Sequence, residues 1–114
     1  MRTQPFTRTA ATVLDGSGNG TASAGPSLTS EVWTVGVAAV SVATNTAEAT
    51  CRIYAGNSPG QSSFVDGTTW GSTGDSTSNF SAPVYTGAEV YAIWAGGDPG
   101  EAATLVISGT RTVP

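Results

Sequence analysis

Histidine and lysine are absent from this chain of 114 residues, cysteine occurs once, and only 11% of the residues are charged. Each shortage removes a class of function. Without histidine the commonest general base is missing, and proton transfer would fall to the eight carboxylates. One cysteine cannot supply the three or four soft or borderline donors of a transition-metal site, so neither metal nor cofactor is expected. A lone Cys51 also forms no intrachain disulfide; it lies in an apolar-alternating run and reads as a small core residue. Four arginines against eight acids give a net charge of -4 and a pI near 4.3. That balance cannot make the dense basic footprint that neutralises phosphates, so nucleic acid is not an expected partner.

Long apolar runs are missing too. The longest stretch, VGVAAVSVA at 35–43, falls short of the ~20 residues that span a bilayer, and no membrane partner is expected. The start, MRTQPFTRTAATVLDG, breaks with Thr and Arg the apolar region of about 7–15 residues that a signal peptide needs, so export by that route is not expected. A chain this long buries roughly two-thirds of its unfolded surface and has room for one core.

Present instead are short runs rich in Val, Thr, Ile and aromatics, separated by Gly, Pro, Asn and Asp at fairly even spacing. They predict strands at 9–14, 20–25, 32–44, 49–55, 62–65, 68–71, 88–95 and 102–113. In the third run both faces are largely apolar: Trp33, Val35, Val37 and Ala39 against Val32, Thr34, Gly36, Ala38 and Val40. The pattern predicts a central strand covered on both sides at one end. In the last run Leu105 and Ile107 share a face opposite Thr104, Val106 and Ser108, predicting one wet side. No segment has a helical period of adequate length. About eight strands without helices predict an all-β, two-sheet antiparallel sandwich with Greek-key or jelly-roll wiring. The apolar pattern begins near residue 9, so residues 1–8 read as an N-terminal arm and 9–114 as the single sandwich domain.

Two stretches repeat in register. RIYAGNSPGQ at 52–61 and AIWAGGDPGE at 92–101 share Ile, Ala, Gly, Pro and Gly, and set Tyr54 against Trp94. Each reads as a strand end and a Gly-Pro-Gly corner, where Pro presets a turn dihedral and Gly accepts positive φ. An internal duplication and a simple recurrence of turn chemistry both fit this likeness. The related corners would stack on opposite sheets or lie side by side at one rim.

Chemical motifs are few. DGSGNG at 15–20 reproduces the first half of a calcium loop, but Pro26 stands where the bidentate Glu belongs, so Asp15, Ser17 and Asn19 read as turn formers. Asn19 and Asn79 lie in Asn-x-Ser/Thr sequons, which carry no meaning without export. Asp66 and Asp75 across DGTTWGSTGD are formally a glycosidase pair, yet Asp among Gly and Ser usually makes Asx-turns, and no enzyme is expected. Trp33, Trp94 and Tyr54 fall within strands and read as core or half-core. Trp70, Phe80 and Tyr85 surround GSTGDSTSN, which reads as a polar loop, and there they would cap one end of the sandwich, stack on a sugar or enter a neighbouring protein.

The ordered set TVLDGSGNGTASAGP, EVWTV, RIYAG, VDGTTWGSTGDS and YTGAEVYAIWAGGDPGEAATLVISGT, spread over residues 12–110, resembles the small β-sandwich virion proteins of tailed phages of actinobacteria. The resemblance implies a non-enzymatic part of the particle, assembled in the host cytoplasm. It points first to a decoration protein on the outside of the head, bound to the major capsid protein, and next to a tail or head-fibre component. Symmetric capsid sites would favour a homotrimer. Attachment would fall to the arm, Arg2, Thr3, Gln4, Pro5, Phe6 and Arg8, which holds half of the chain's arginine beside one apolar anchor. Trp70 and Tyr85 form the second attachment candidate. A carbohydrate-binding module is the competing class, with Trp70 and Tyr85 as stacking platforms and Asp66 and Asp75 accepting the hydroxyls of a glycan.

Overall fold

The computed structural model describes residues 2–28, 30–43, 49–69 and 75–113, with side chains at all of these but 66–69 and 75–80. Eight strands form among the described residues: β1 Arg2–Val13, β2 Gly20–Ala24, β3 Val32–Val42, β4 Thr50–Gly56, β5 Phe64–Thr69, β6 Asp75–Tyr85, β7 Glu89–Ala95 and β8 Ala102–Val113. One 3-10 turn, Gln61–Ser63, precedes β5. The strands make two antiparallel four-stranded sheets, ordered β1-β8-β3-β6 and β2-β7-β4-β5, which is the expected sandwich.

The pairings choose between the two wirings. β1 pairs with β8, β2 with β7, β3 with β6 and β4 with β5. The chain is thus one long hairpin, closed between β4 and β5 and rolled so that β3 meets β8 and β4 meets β7. That is a jelly roll. Between the sheets lie Leu14, Trp33, Val35, Val40, Ile53, Val84, Val90, Trp94, Leu105 and Ile107, all at 2% exposure or less. Cys51 is among them, and burial, the dominant effect, pushes its thiol up to about 12.

Several expectations are corrected. Residues 2–8 are no arm: β1 begins at Arg2 and pairs with β8 without a break from Arg2↔Val113 to Val13↔Ala102. Its even positions from Gln4 onward are half-buried toward the core while its odd positions are exposed. Pro5 fits because β1 is a sheet edge; Pro83, on the opposite edge strand β6, lies in the same cross-sheet row through Thr110 and Thr34. The polar stretch after residue 74 is no loop either, since Asp75–Tyr85 is a strand along β3, and the strands expected at 62–65 and 68–71 are the single strand β5.

The two-sided apolar pattern of β3 has a different cause from burial on both faces. The register shifts between Val35 and Val37 against both neighbours. A bulge at Gly36 changes the phase, so Trp33 and Val35 point inward before it and Ala38, Val40 and Val42 after it. Gly109 stands opposite Val35, and a Cβ there would collide with the Thr34 carbonyl.

The Gly-Pro-Gly repeats, finally, are not equivalent. The first follows β4 and closes its hairpin with β5, whereas the second carries the chain from β7 in one sheet to β8 in the other. Since β4 and β7 pair antiparallel, the two corners lie at opposite ends of the molecule. The parity also differs: Ile53 is buried where Ile93 faces out, and Tyr54 faces out where Trp94 is buried. Shared turn chemistry explains the likeness, and a structural duplication does not.

Two polar clusters fasten the ends. Asp15 Oδ1 accepts the Ser17 and Asn19 N–H groups at 2.8 and 3.0 Å. The Asn19 donor, then Ser17, holds this carboxyl below the usual range. The same loop is stitched to the second corner by Gly97 N–H to Gly18 O at 3.0 Å and Gly100 N–H to Leu14 O at 2.9 Å. At the other end Glu31, 2% exposed, accepts Trp33 Nε1–H at 3.0 Å and Leu28 N–H at 3.2 Å, with Arg111 at 3.5 Å. Burial alone would raise its pKa; the donors and Arg111 outweigh that and lower it.

Candidate functional site

Those residues expected to bind partners that the structure describes divide between the two faces of one sheet. Arg2, Gln4, Phe6 and Arg8 share the core-facing side of β1, opposite Val113, Arg111, Gly109 and Ile107. Because Gly109 has no side chain, Phe6 reaches across it to Trp33, with ring centroids 4.6 Å apart. The Arg8 guanidinium lies 5.2 Å from the same Trp33 ring. Turning the Gln4 amide oxygen toward Arg111 gives hydrogen bonds of 2.7 and 2.8 Å from Nη2 and Nε. Of this set Phe6, Arg8 and Gln4 are committed to internal contacts, and Arg2 stays exposed at the strand end.

Pro5 and Tyr85 lie on the opposite, outer face of that sheet. Tyr85 is 59% exposed and level with Val32, Thr112 and Thr3. The register lays this face out in rows: Thr3, Thr112, Val32, Tyr85; then Pro5, Thr110, Thr34, Pro83; then Thr7, Ser108, Val37; then Thr9, Val106, Ala39. Among its described side chains there is no charge. Thr3 and Thr112 share a hydroxyl hydrogen bond of 3.1 Å. Trp70 lies outside the described residues, and the side chains of Asp66, Asp75 and Phe80 are likewise not described; the backbones of these three are strand, in β5 and β6.

The outer face of the second sheet carries what sequence reasoning missed. One row crosses all four strands, Phe64 on β5, Tyr54 on β4, Tyr91 on β7 and Ser23 on β2. Phe64 is 49% exposed and meets Tyr54 edge to face, centroids 5.7 Å apart. Ser23 Oγ–H donates to Glu89 Oε1 at 3.2 Å, and Tyr91 O–H donates to Asn57 O at 3.1 Å. Burial first, then the neighbouring Glu89 carboxylate, raises the Tyr91 phenol above its ordinary value. Arg52 and Ile93 form the next row, with Arg52 exposed. A signal for this row was available in EVYAIWA, where period two separates Tyr91 and Ile93 from Val90, Ala92 and Trp94.

Among the described residues no group of three or more His, Cys, Asp or Glu is placed to hold a metal ion. Comparison with known protein families, with curated proteins and with solved structures finds no match for this chain.

Proposed function

We propose that this chain is a non-enzymatic structural protein of a tailed-phage virion, a decoration protein that binds the major capsid protein on the outside of the head as a homotrimer. The resemblance read from the sequence motivates the reading, and the outer face of the β1-β8-β3-β6 sheet carries it. That face is broad, hydroxyl-rich and aliphatic, and uncharged among its described side chains, so docking it against another protein desolvates no ion. Strand rise and spacing make it roughly 37 by 14 Å, on the order of 500 Å², a large part of the ~800 Å² per partner that a stable interface uses. A jelly roll is a fold that capsid domains use, though it serves unrelated roles as well. A tail or head-fibre component would use the same face.

The test places a charge at the centre of the face. Val106 and Thr9 lie side by side there with their side chains turned from the core, so V106R and T9R should keep the parent's circular dichroism spectrum. Copies bound to undecorated capsids should fall sharply for both, and light scattering should show the parent as a trimer. A monodisperse parent monomer that does not bind capsids would overturn the proposal.

A further inference from the structure

The outer face of the other sheet points to a ligand of its own. We propose that Phe64, Tyr54 and Tyr91 form a stacking platform for a neutral glycan chain, whose hydroxyls are held by Glu89, Ser23 and Arg52. The inference rests on this face alone and stands whether or not the chain is a capsid component.

Three aromatic side chains on adjacent strands line up in one row, and neighbouring strands are about 4.8 Å apart, so the row offers successive rings at a spacing on the order of one sugar unit. A sugar presents a C–H face and a rim of hydroxyls. The C–H face suits the electron-rich face of an aromatic ring. The rim needs acceptors and donors beside that ring, and the two adjoining rows supply both, Glu89 on one side and Arg52 on the other. Glu89 uses one oxygen on Ser23, and a carboxylate has about four acceptor sites, which leaves capacity for hydroxyls. Arg52, one row away on the same strand as Tyr54, is an exposed donor.

The platform is held in place before any ligand arrives. Phe64 is braced by the Tyr54 ring. The turn that leads into it is fixed by Ser63 Oγ–H, donating to Ser58 O at 2.7 Å and Gly60 O at 3.2 Å. Tyr91 is tied to the same turn through Asn57. Preorganised rings lose little freedom on binding, which favours a weakly held ligand such as a sugar.

Size and charge argue for a glycan over the other occupants. Four strands and two rows cover on the order of 200 Å², a quarter of the ~800 Å² a stable protein partner needs on each side. An anionic ligand would meet Glu89 in the adjoining row and a chain of net charge -4.

The experiment follows the amide resonances of the isotopically labelled full chain while hexasaccharides of β-1,4-glucose, α-1,4-glucose, xylose and N-acetylglucosamine are added to millimolar concentration. At least one should shift Ser23, Tyr54, Phe64 and Tyr91 together. F64A removes a side chain that is 49% exposed, so it should leave thermal unfolding nearly unchanged while weakening that sugar about tenfold; E89Q should weaken it several-fold. The inference is overturned if no hexasaccharide moves these resonances, if the shifts map elsewhere, or if F64A binds as the parent does. Shifts of the same row with protein concentration alone would assign the face to a second copy and also overturn it. Capsid binding by V106R and T9R is read separately, so failure here leaves the virion reading standing, and the reverse holds too.

Discussion

Replacing Glu31 by Gln tests the buried carboxylate that fastens the loop into β3. The carboxylate is 2% exposed and accepts from Trp33 Nε1 at 3.0 Å and Leu28 N at 3.2 Å on its two oxygens. Gln keeps the shape but turns one acceptor into a donor, so one of those N–H groups faces another N–H in a buried place. A hydrogen bond to a charged group is worth about 1.5–3 kcal/mol, and an orphaned buried donor loses its hydration as well. The Arg111 contact adds little, since that side chain is 30% exposed and screened by water. E31Q should therefore lose about 2–3 kcal/mol by urea titration, on the order of 10 °C in Tm for a domain of this size.

The acid limb gives an independent reading. Glu31 titrates below the usual range in the folded chain, so the unfolded chain binds its proton first as pH falls. The carboxylate's contribution is fully present above the ordinary Glu value of about 4.3 and disappears as pH falls through the lowered folded value. E31Q should lack this part of the acid destabilisation, and the stability gap between the two proteins should narrow below about pH 4. Equal stability of E31Q and parent at neutral pH, within about 0.5 kcal/mol, or parallel acid limbs, would refute the assignment of Glu31 as the anchor of the loop into β3.

Deleting residues 1–8 should prevent stable folding, because the pairs from Arg2↔Val113 to Arg8↔Ile107 and the cover over Trp33 go with them; circular dichroism and Trp emission check it, and a folded truncation would contradict the strand. F6A alone, from a half-buried site, should cost about 2 kcal/mol in urea unfolding. G109A should cost more than about 2 kcal/mol, since a Cβ meets the Thr34 carbonyl and the Gly36 nitrogen, both backbone. Cys51, buried with its thiol pushed up to about 12, should resist iodoacetamide in the native protein and react once denatured; fast native labelling would mean that the core opens there.

The sandwich was legible because most strands keep strict alternation. Leu105 and Ile107 against Val106 and Ser108 needed only the two-residue period. Failures came where a neighbour decides the conformation. DSTSNFSAPVY is poor in strand formers, and it is a strand because β3 offers a ladder on one side while the free edge tolerates Pro83. TQPFTRT read as an arm because the apolar pattern begins only near residue 9, but its Pro lies at a sheet edge and its Phe and Arg cover an indole. The bulge at Gly36 made one buried face look like two. The aromatic row could not be assembled from sequence, since Phe64, Tyr54 and Tyr91 come from three strands whose order is set by the roll.

A sandwich fixes its inner faces and leaves its outer faces free to differ, and here they differ in chemistry. One outer face has threonines, valines and alanines in rows without a described charge; the other has rings flanked by Glu89 and Arg52. The two are separated by a core about 10 Å thick plus two layers of backbone, too far for side chains on one to touch those on the other. Substitutions on opposite faces should therefore act independently. In the protein carrying both V106R and F64A, capsid binding should match V106R alone and sugar binding should match F64A alone, with the stability changes summing to within about 0.5 kcal/mol. If V106R weakened sugar binding as F64A does, the two faces would be one coupled surface, and a module that docks through one sheet while presenting the other outward would be the wrong description.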